Sequence, residues 1–202
     1  MTQIALPLDV RGSAGPVRIV VGDANRAAVE ALKDAARWPF RTAVLVGPAR
    51  SGKSLLARWF TDEGLGAALD DAHAMDETAL FHAWNRAQES TGSLLLTARP
   101  GWRIALPDLA SRLGGSLQLA LGAPDDAMIA ALLAAHAEQR RLALGEGAVA
   151  YLLPRIERSW TAIEAIVEAI DRLSLERQTP ATMSVWRDAL DAVQGPEQGR
   201  LL

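Results

Sequence analysis

The chain has 202 residues, half of them hydrophobic, and a net charge of −3 at neutral pH. That length suits one domain with a small appendage around a sizeable core, and the mild acidity argues against a non-specific nucleic-acid binder. The absence of cysteine excludes disulfides and thiolate metal sites and suits a reducing cytosol.

The opening residues lack the basic and long apolar regions of a signal peptide, and no apolar run approaches the ~20 residues of a membrane span. The expectation is a soluble, cytoplasmic protein. Gln3-Ile4-Ala5-Leu6-Pro7-Leu8 precedes the loop-like RGSAGP of residues 11–16. Pro7 imposes an extended or turn backbone, which would offer Leu6 and Leu8 to a groove on a partner. The same peptide also suits an edge strand folded back on the domain. Residues 17–21 then lead through Gly22-Asp23-Ala24-Asn25 into a helix expected over residues 27–37, with Asp23 or Asn25 as its cap.

The apolar residues 43–46 have the length and branching of a buried strand. They break into Gly47, Pro48, Ala49, Arg50, Ser51, Gly52, Lys53 and Ser54, which fits the phosphate-loop pattern G-x-x-x-x-G-K-[ST]. Leu55, Leu56, Trp59 and Phe60 follow at helical spacing. Gly47 and Gly52 let backbone N–H groups converge on phosphate oxygens, and a helix N-terminus adds partial positive charge. Lys53 would reach the β- and γ-phosphates, and the Ser54 hydroxyl would ligate Mg²⁺. A strand over residues 67–71 then ends in Asp70 and Asp71. Asp70 suits the metal's water shell, and Asp71 is the candidate catalytic carboxylate. The pair also suits a helix cap.

From Ser54 to Asp70 is 70 − 54 = 16 positions, room for one crossover helix and no additional strand. The expected sheet is therefore a reduced one. Residues 75–89 are amphipathic, with Leu80, Phe81, Trp84 and Ala87 on one face. Residues 94–98 read as a central strand with Thr97 at its polar end, beside where a γ-phosphate would lie. Pro107 opens a short helix stopped by Gly114-Gly115, which presents Arg112 either as an ordinary exposed arginine or as a trans-acting finger for a neighbour's ATP site. A last strand spans residues 116–121. From Pro124 to Val193 the period is helical throughout, with Asp125-Asp126 as a cap and helices over residues 146–156, 159–177 and 184–193. His136 reads as a packing residue, and His73 and His82 lack metal-site spacing.

Several segments together resemble the Hda family of bacterial regulators, which are homologous to the ATPase domain of the replication initiator DnaA. They are QIALPL, VVGDANRAA, the phosphate loop, LDDAH, FHAWNRAQ, LLLTARP and, most specifically, LPDLASRL. The resemblance implies an α/β fold, an AAA+ P-loop NTPase with a reduced parallel sheet followed by a small all-helical lid. Its divisions would be a flexible clamp-binding peptide over residues 1–16, the nucleotide domain over 17–122, the lid over 124–193 and a tail over 194–202.

It further implies bound ADP or ATP with Mg²⁺ at Ser54 and Asp70, and Thr97 as a sensor. Arg112 would be an arginine finger acting on DnaA. Gln3, Ile4, Leu6, Pro7 and Leu8 would contact the β-subunit sliding clamp. Homo-oligomers are compatible with such a module, whereas sequence-specific DNA binding and membrane association are not expected.

The chain departs from the family pattern twice. Thr161 stands where the lid normally carries a nucleotide-sensing arginine, with Arg158 one turn earlier as the substitute, and a strand is missing between Ser54 and Asp70. Both weigh against ATP hydrolysis by this protein itself. The alternatives are an adaptor for the clamp or DnaA without catalytic effect, and a free-standing P-loop ATPase.

Overall fold

The computed structural model describes residues 8–10, 17–90 and 92–195. The chain divides into two compact units, Met1–Gly122 and Ala123–Leu202.

The first unit is built on four parallel strands, β3 (Thr42–Val46), β4 (Gly66–Leu69), β5 (Ser93–Ala98) and β6 (Leu117–Ala120), in the order β4-β5-β3-β6. Thus one helix, α2 (Lys53–Asp62), connects β3 to β4, as the spacing of 16 positions requires. β4 forms one edge of the four-stranded sheet, and it is half-buried where β5 is buried throughout. Alternate residues of β3 serve opposite faces. Ala43 and Leu45 join the core under α1 (Arg26–Lys33) and α2, whereas Val44 joins the core under α3 (Glu77–Glu89) and α4 (Pro107–Gly114). Within the first core, Trp38 stacks on Phe60 with centroids 5.3 Å apart, an arrangement worth about 0.5–1.5 kcal/mol beyond area burial.

Three local features differ from the sequence reading. First, Leu8–Val10 forms a strand, β1, antiparallel to β2 (Val17–Ile19), with Leu8 opposite Ile19. Leu8, expected among the clamp contacts, therefore lies in a ladder, and Gln3, Ile4, Leu6 and Pro7 fall outside the described residues. Second, Asn25 occupies the cap position of α1 but makes no side-chain capping bond. It is buried, and it braces the preceding loop instead, accepting from Gly22 N–H at 2.9 Å and donating to the Val20 carbonyl at 2.8 Å.

Third, α1 stops at Lys33, short of the expected residue 37. Two 3₁₀ turns follow, Ala35–Arg37 and Pro39–Arg41, separated by Trp38, which Pro39 keeps extended. Phe40 and Arg41 both take left-handed backbone angles, φ 49° and 47°, each a strained choice for a residue with a Cβ. Side chains hold this turn. Gln88 donates to the Phe40 carbonyl at 2.7 Å, Thr42 to the same carbonyl at 2.9 Å, and Arg41 to the Ser90 carbonyl at 2.9 Å.

The second unit is helical among its described residues: α5 (Asp126–Gln139), α6 (Glu146–Leu152), α7 (Trp160–Arg177) and α8 (Met183–Gln194). Asp125 caps α5, its carboxylate accepting from Met128 N–H at 2.7 Å, as the sequence pattern predicts. The core of this unit comes from Ile129 and Leu133 of α5 and from Ile163, Ile166, Val167 and Ile170 of α7, spaced to share one helical stripe. No helix among the described residues is long and apolar enough to cross a membrane.

His136 lies on α5. Burial holds its imidazole below the ordinary value of 6.5, with Arg140 acting in the same direction and Glu164 and Glu168 opposing. A depressed folded-state pKa means that its contribution to stability is complete above the unfolded value and is lost as pH falls through the folded one. Calorimetric melts at about pH 7.5 and about pH 5.5 should therefore show the wild type losing more of the helical unit's stability than His136→Gln does. Equal losses in both proteins would remove His136 as the cause.

Candidate functional site

All four strands of a parallel sheet end on one side, so β3, β4 and β5 deliver their chemistry to a common rim. At the end of β3, the Gly47 N–H donates to the carbonyl of Ala98 at 3.2 Å, which seats the phosphate loop against the tip of β5. A Cβ on Gly47 would stand 2.8 Å from Ser51 Oγ and 3.0 Å from Leu121 Cβ, so only glycine fits. Gly52 (φ 86°) and Arg50 (φ 63°) take left-handed angles that curl the loop. Pro48, Ala49 and Arg50 are exposed, while Ser51 is buried and donates to the Pro48 carbonyl at 2.8 Å.

Lys53 is buried at the start of α2, and its ammonium donates to the carbonyls of Gly47 at 2.9 Å and Pro48 at 2.7 Å. Burial lowers its pKa. The Asp71 and Asp70 carboxylates oppose that shift, and the nearby Arg99 guanidinium adds to it.

Thr97, fully buried at the end of β5, ties the acidic pair together. Its hydroxyl donates to Asp70 Oδ1 at 2.5 Å and accepts from the backbone N–H of Asp71 at 2.9 Å. Ser54 lies close enough to Asp70 to act on its carboxylate. Burial alone would raise the Asp70 pKa, but the Ser54 and Thr97 hydroxyls, the Asp71 N–H and the Lys53 ammonium together hold it below the usual carboxylate value. Asp71 sits past the strand tip in a left-handed conformation (φ 51°), which aspartate tolerates, and its side chain is 54% exposed. His73 Nδ1 approaches it at 3.8 Å.

The structure thus brings together Lys53, Ser54, Asp70, Asp71 and Thr97. The Ser54 hydroxyl beside an ionised Asp70 is an all-oxygen donor pair suited to a hydrated Mg²⁺ held largely by phosphates. The single O–H proton of Thr97 is committed to Asp70, so here Thr97 anchors the acid rather than offering a donor to phosphate. A cavity of about 280 Å³, lined by Val44, Val46, Arg99, Trp102, Ile104 and Leu113 among others, lies on the α4 face of the sheet. It is separate from the phosphate loop, which feeds α2 on the other face.

Two further candidate residues have other partners. Arg158, in the second unit, pairs with Asp126 at 2.8 Å, both side chains being more than half exposed. Arg112 lies in the last turn of α4 and is half-buried. Its guanidinium carbon is 4.3 Å from the centroid of Phe81 and 4.5 Å from that of Trp84, and it donates to Asn85 Oδ1. Sequence reading placed Phe81 and Trp84 only on an apolar face and did not single out Asn85 or Arg99. The positions of Phe81, Trp84 and Asn85 at i, i+3 and i+4 on α3 were visible, but their pairing with a residue about thirty positions away was not.

A four-stranded parallel sheet with a phosphate-loop pattern, joined in sequence to a helical unit, gives this chain an α/β fold of the kind found in AAA+ P-loop domains. Its fold is similar to domain III of the replication initiation protein DnaA from Thermotoga maritima, with a TM-score of 0.73 at 15% identity over 88% of this chain and 95% of that one. It is also similar to AMPPCP-bound DnaA from Aquifex aeolicus (TM-score 0.60, 17% identity, 79% and 66% of the two chains). A third likeness is to the RuvB Holliday junction branch migration motor of T. maritima (TM-score 0.62, 14% identity, 85% and 70%). Among curated protein sequences none matches the chain. Residues 125–190 match the family model of the Hda lid domain. The family match thus concerns the second unit, and the likeness to DnaA concerns the fold.

Replacing Thr97 by the isosteric valine strands the Asp70 carboxylate and the Asp71 N–H. Urea unfolding should show Thr97→Val less stable by about 1–3 kcal/mol. Lys53→Ala should weaken binding of a fluorescent ADP analogue by roughly ten- to a hundredfold, the loss expected for a charge-assisted contact. Unchanged affinity would disconnect the loop from nucleotide.

Proposed function

We propose that this protein is a nucleotide-bound AAA+ negative regulator of replication initiation, which stimulates ATP hydrolysis by DnaA. The observation that carries the reading is the match of residues 125–190 to the Hda lid, joined to a phosphate-loop domain of DnaA-like fold. In this reading residues 47–54 hold the phosphates of ADP or ATP. The backbone N–H groups of the loop and the start of α2 face the anion, and Lys53 exchanges the carbonyls of Gly47 and Pro48 for phosphate oxygens. Mg²⁺, when bound beside Ser54 and Asp70, neutralises phosphate charge. Asp71 is the candidate for activating water in cis.

The protein's own hydrolysis is weak in this reading, for two reasons. The Thr97 proton is taken up by Asp70, and Arg158 is paired with Asp126. Its catalytic contribution is instead Arg112, offered to the γ-phosphate held by the initiator, where a guanidinium stabilises charge as it develops. Gln3, Ile4, Leu6 and Pro7, running into Leu8 at the start of β1, form the peptide that docks on the DNA-loaded sliding clamp, which raises the local concentration of the regulator near its target.

The test is ATP hydrolysis by purified DnaA in the presence of this protein, ADP and DNA-loaded clamp. Stimulation should require the clamp, and Arg112→Ala should reduce it by about a thousandfold or to background while leaving clamp binding intact. Clamp binding without stimulation by the wild type would point to an adaptor, and turnover by this protein alone would point to a free-standing ATPase.

A further inference from the structure

We infer that the cavity on the α4 face of the sheet is a second ligand site, built for a small carboxylate with an apolar body whose head lies on Arg99. Its volume, about 280 Å³, falls just under the ~300 Å³ at which pockets for drug-sized ligands begin. At about 30 Å³ for each water-sized atom, such a space holds roughly nine heavy atoms.

The lining divides by chemistry. Val44 and Val46, two residues apart on β3, form an apolar floor. Trp102, Ile104 and Leu113 supply apolar walls, no aspartate or glutamate lines the cavity, and Arg99 is its one charged lining residue. Among the described residues Arg99 has no carboxylate partner. Gln118 lines the cavity too, but its amide nitrogen is committed to the Leu113 and Ser116 carbonyls, at 2.7 Å and 3.1 Å. Arg99 and the Trp102 indole are the side-chain donors left for a carboxylate. An apolar chamber with a single cation favours an anion carrying a hydrophobic body over either part alone.

Local structure sets these groups in place. Arg99 and Trp102 are the first and last residues of a turn, closed by the Trp102 N–H donating to the Arg99 carbonyl at 3.4 Å. Pro100 and Gly101 occupy its centre, and the φ of 79° at Gly101 is the left-handed angle that a type II turn requires there. The turn therefore holds guanidinium and indole residues close together. Farther along, the Glu77 carboxylate accepts from the N–H groups of Ala105 at 2.8 Å and Leu106 at 2.6 Å, which fixes the loop that carries Ile104. From α4 come two small residues, Ala110 and Gly114, one helical turn apart. A Cβ on Gly114 would meet no other atom within 4 Å, so the space there is left open by the choice of residue.

Arg99 also belongs electrostatically to the phosphate rim. It follows Ala98, whose carbonyl accepts from the Gly47 N–H, and its charge is felt by the Lys53 ammonium. A carboxylate on Arg99 removes positive potential from the loop. The second site should therefore oppose nucleotide binding, and nucleotide should oppose the acid by the same factor. This coupling, though not the site itself, rests on the proposed binding of nucleotide by residues 47–54.

The probe is benzoate, which is of the size that the cavity holds, with benzyl alcohol as its neutral counterpart and acetate as the head alone. Titration of the full chain is followed at the Trp102 indole N–H resonance, assigned by its loss in Trp102→Phe. Benzoate should shift it saturably with a Kd on the order of 1 mM, the strength expected of so small a ligand. Benzyl alcohol and acetate should each bind at least about tenfold more weakly. Gly114→Leu should abolish the shift, and Arg99→Gln should reduce benzoate to the level of benzyl alcohol. Saturating benzoate should also weaken binding of the fluorescent ADP analogue by about two- to fivefold relative to equal acetate, and should have no such effect in Gly114→Leu.

No saturable shift with benzoate far above that range overturns the site. So does equal binding of benzyl alcohol, which would make the cavity an apolar crevice, and so does a benzoate shift that survives Gly114→Leu. Benzoate binding that leaves the affinity for the analogue unchanged overturns the coupling through Arg99 and leaves the site standing. Failure of the analogue to bind at all overturns the nucleotide reading, and the indole titration still decides the site. Should Gly114→Leu fail to fold, Ala110→Leu fills the same cavity and takes its place.

Discussion

Parallel pairing imposes one constraint from which the site follows: every strand must deliver its C-terminal end to the same rim. In this chain the register of β5 between β3 and β4 sets Ala98 beside Gly47 and Thr97 beside Asp70. The phosphate loop, the acidic pair and the threonine are therefore neighbours because the sheet is parallel, although Gly47 and Thr97 are fifty positions apart. The apolar residues of β3 and β5, buried on both faces by helices, hold that register. A one-residue slip would exchange Ala43 and Leu45 for Val44 and move both cores at once.

The site shows how few polar contacts are needed to organise charge at such a rim. One hydroxyl, that of Thr97, satisfies both the carboxylate of Asp70 and the backbone of Asp71, and so aligns the acidic corner with the loop. Lys53 answers its own burial by taking two carbonyls of the loop that it serves. Arg112 is handled by opposite means, with aromatic faces and an amide in place of carboxylates. The three cations of the first unit that matter here, Lys53, Arg99 and Arg112, are thus tuned by different surroundings.

Much of this was legible in the sequence, because much of it is local. The phosphate loop is a contiguous pattern flanked by strand and helix signals, and the count of positions from Ser54 to Asp70 correctly left no room for a further strand. The lid helices announced themselves by their period and by the Asp125 cap. What escaped detection was non-local or strained. The left-handed Phe40-Arg41 turn depends on Gln88 and Ser90, far along the chain. Asn25 resembles a cap in sequence, and only the fold supplies the Gly22 and Val20 groups that it braces. The cluster around Arg112 needs two helices to meet, and the ion pair of Arg158 needs Asp126 from the start of another helix. Periodicity reports which face of a helix is apolar and says nothing about which distant residue will lie upon it.

The shortened sheet has a consequence for how copies of this protein behave toward one another. Among the described residues β4 pairs with β5 alone, and an unpaired strand margin is a template on which another chain can polymerise. Here that margin is only four residues long, begins with Gly66, and is bracketed by Asp62 and Glu63 on one side and Asp70 and Asp71 on the other. A second β4 laid alongside in either direction would bring carboxylates against carboxylates and gain few backbone bonds. The acidic residues that suit the rim for metal and phosphate chemistry therefore also discourage fibril-like self-pairing, so the fold loses a strand without acquiring an adhesive flank.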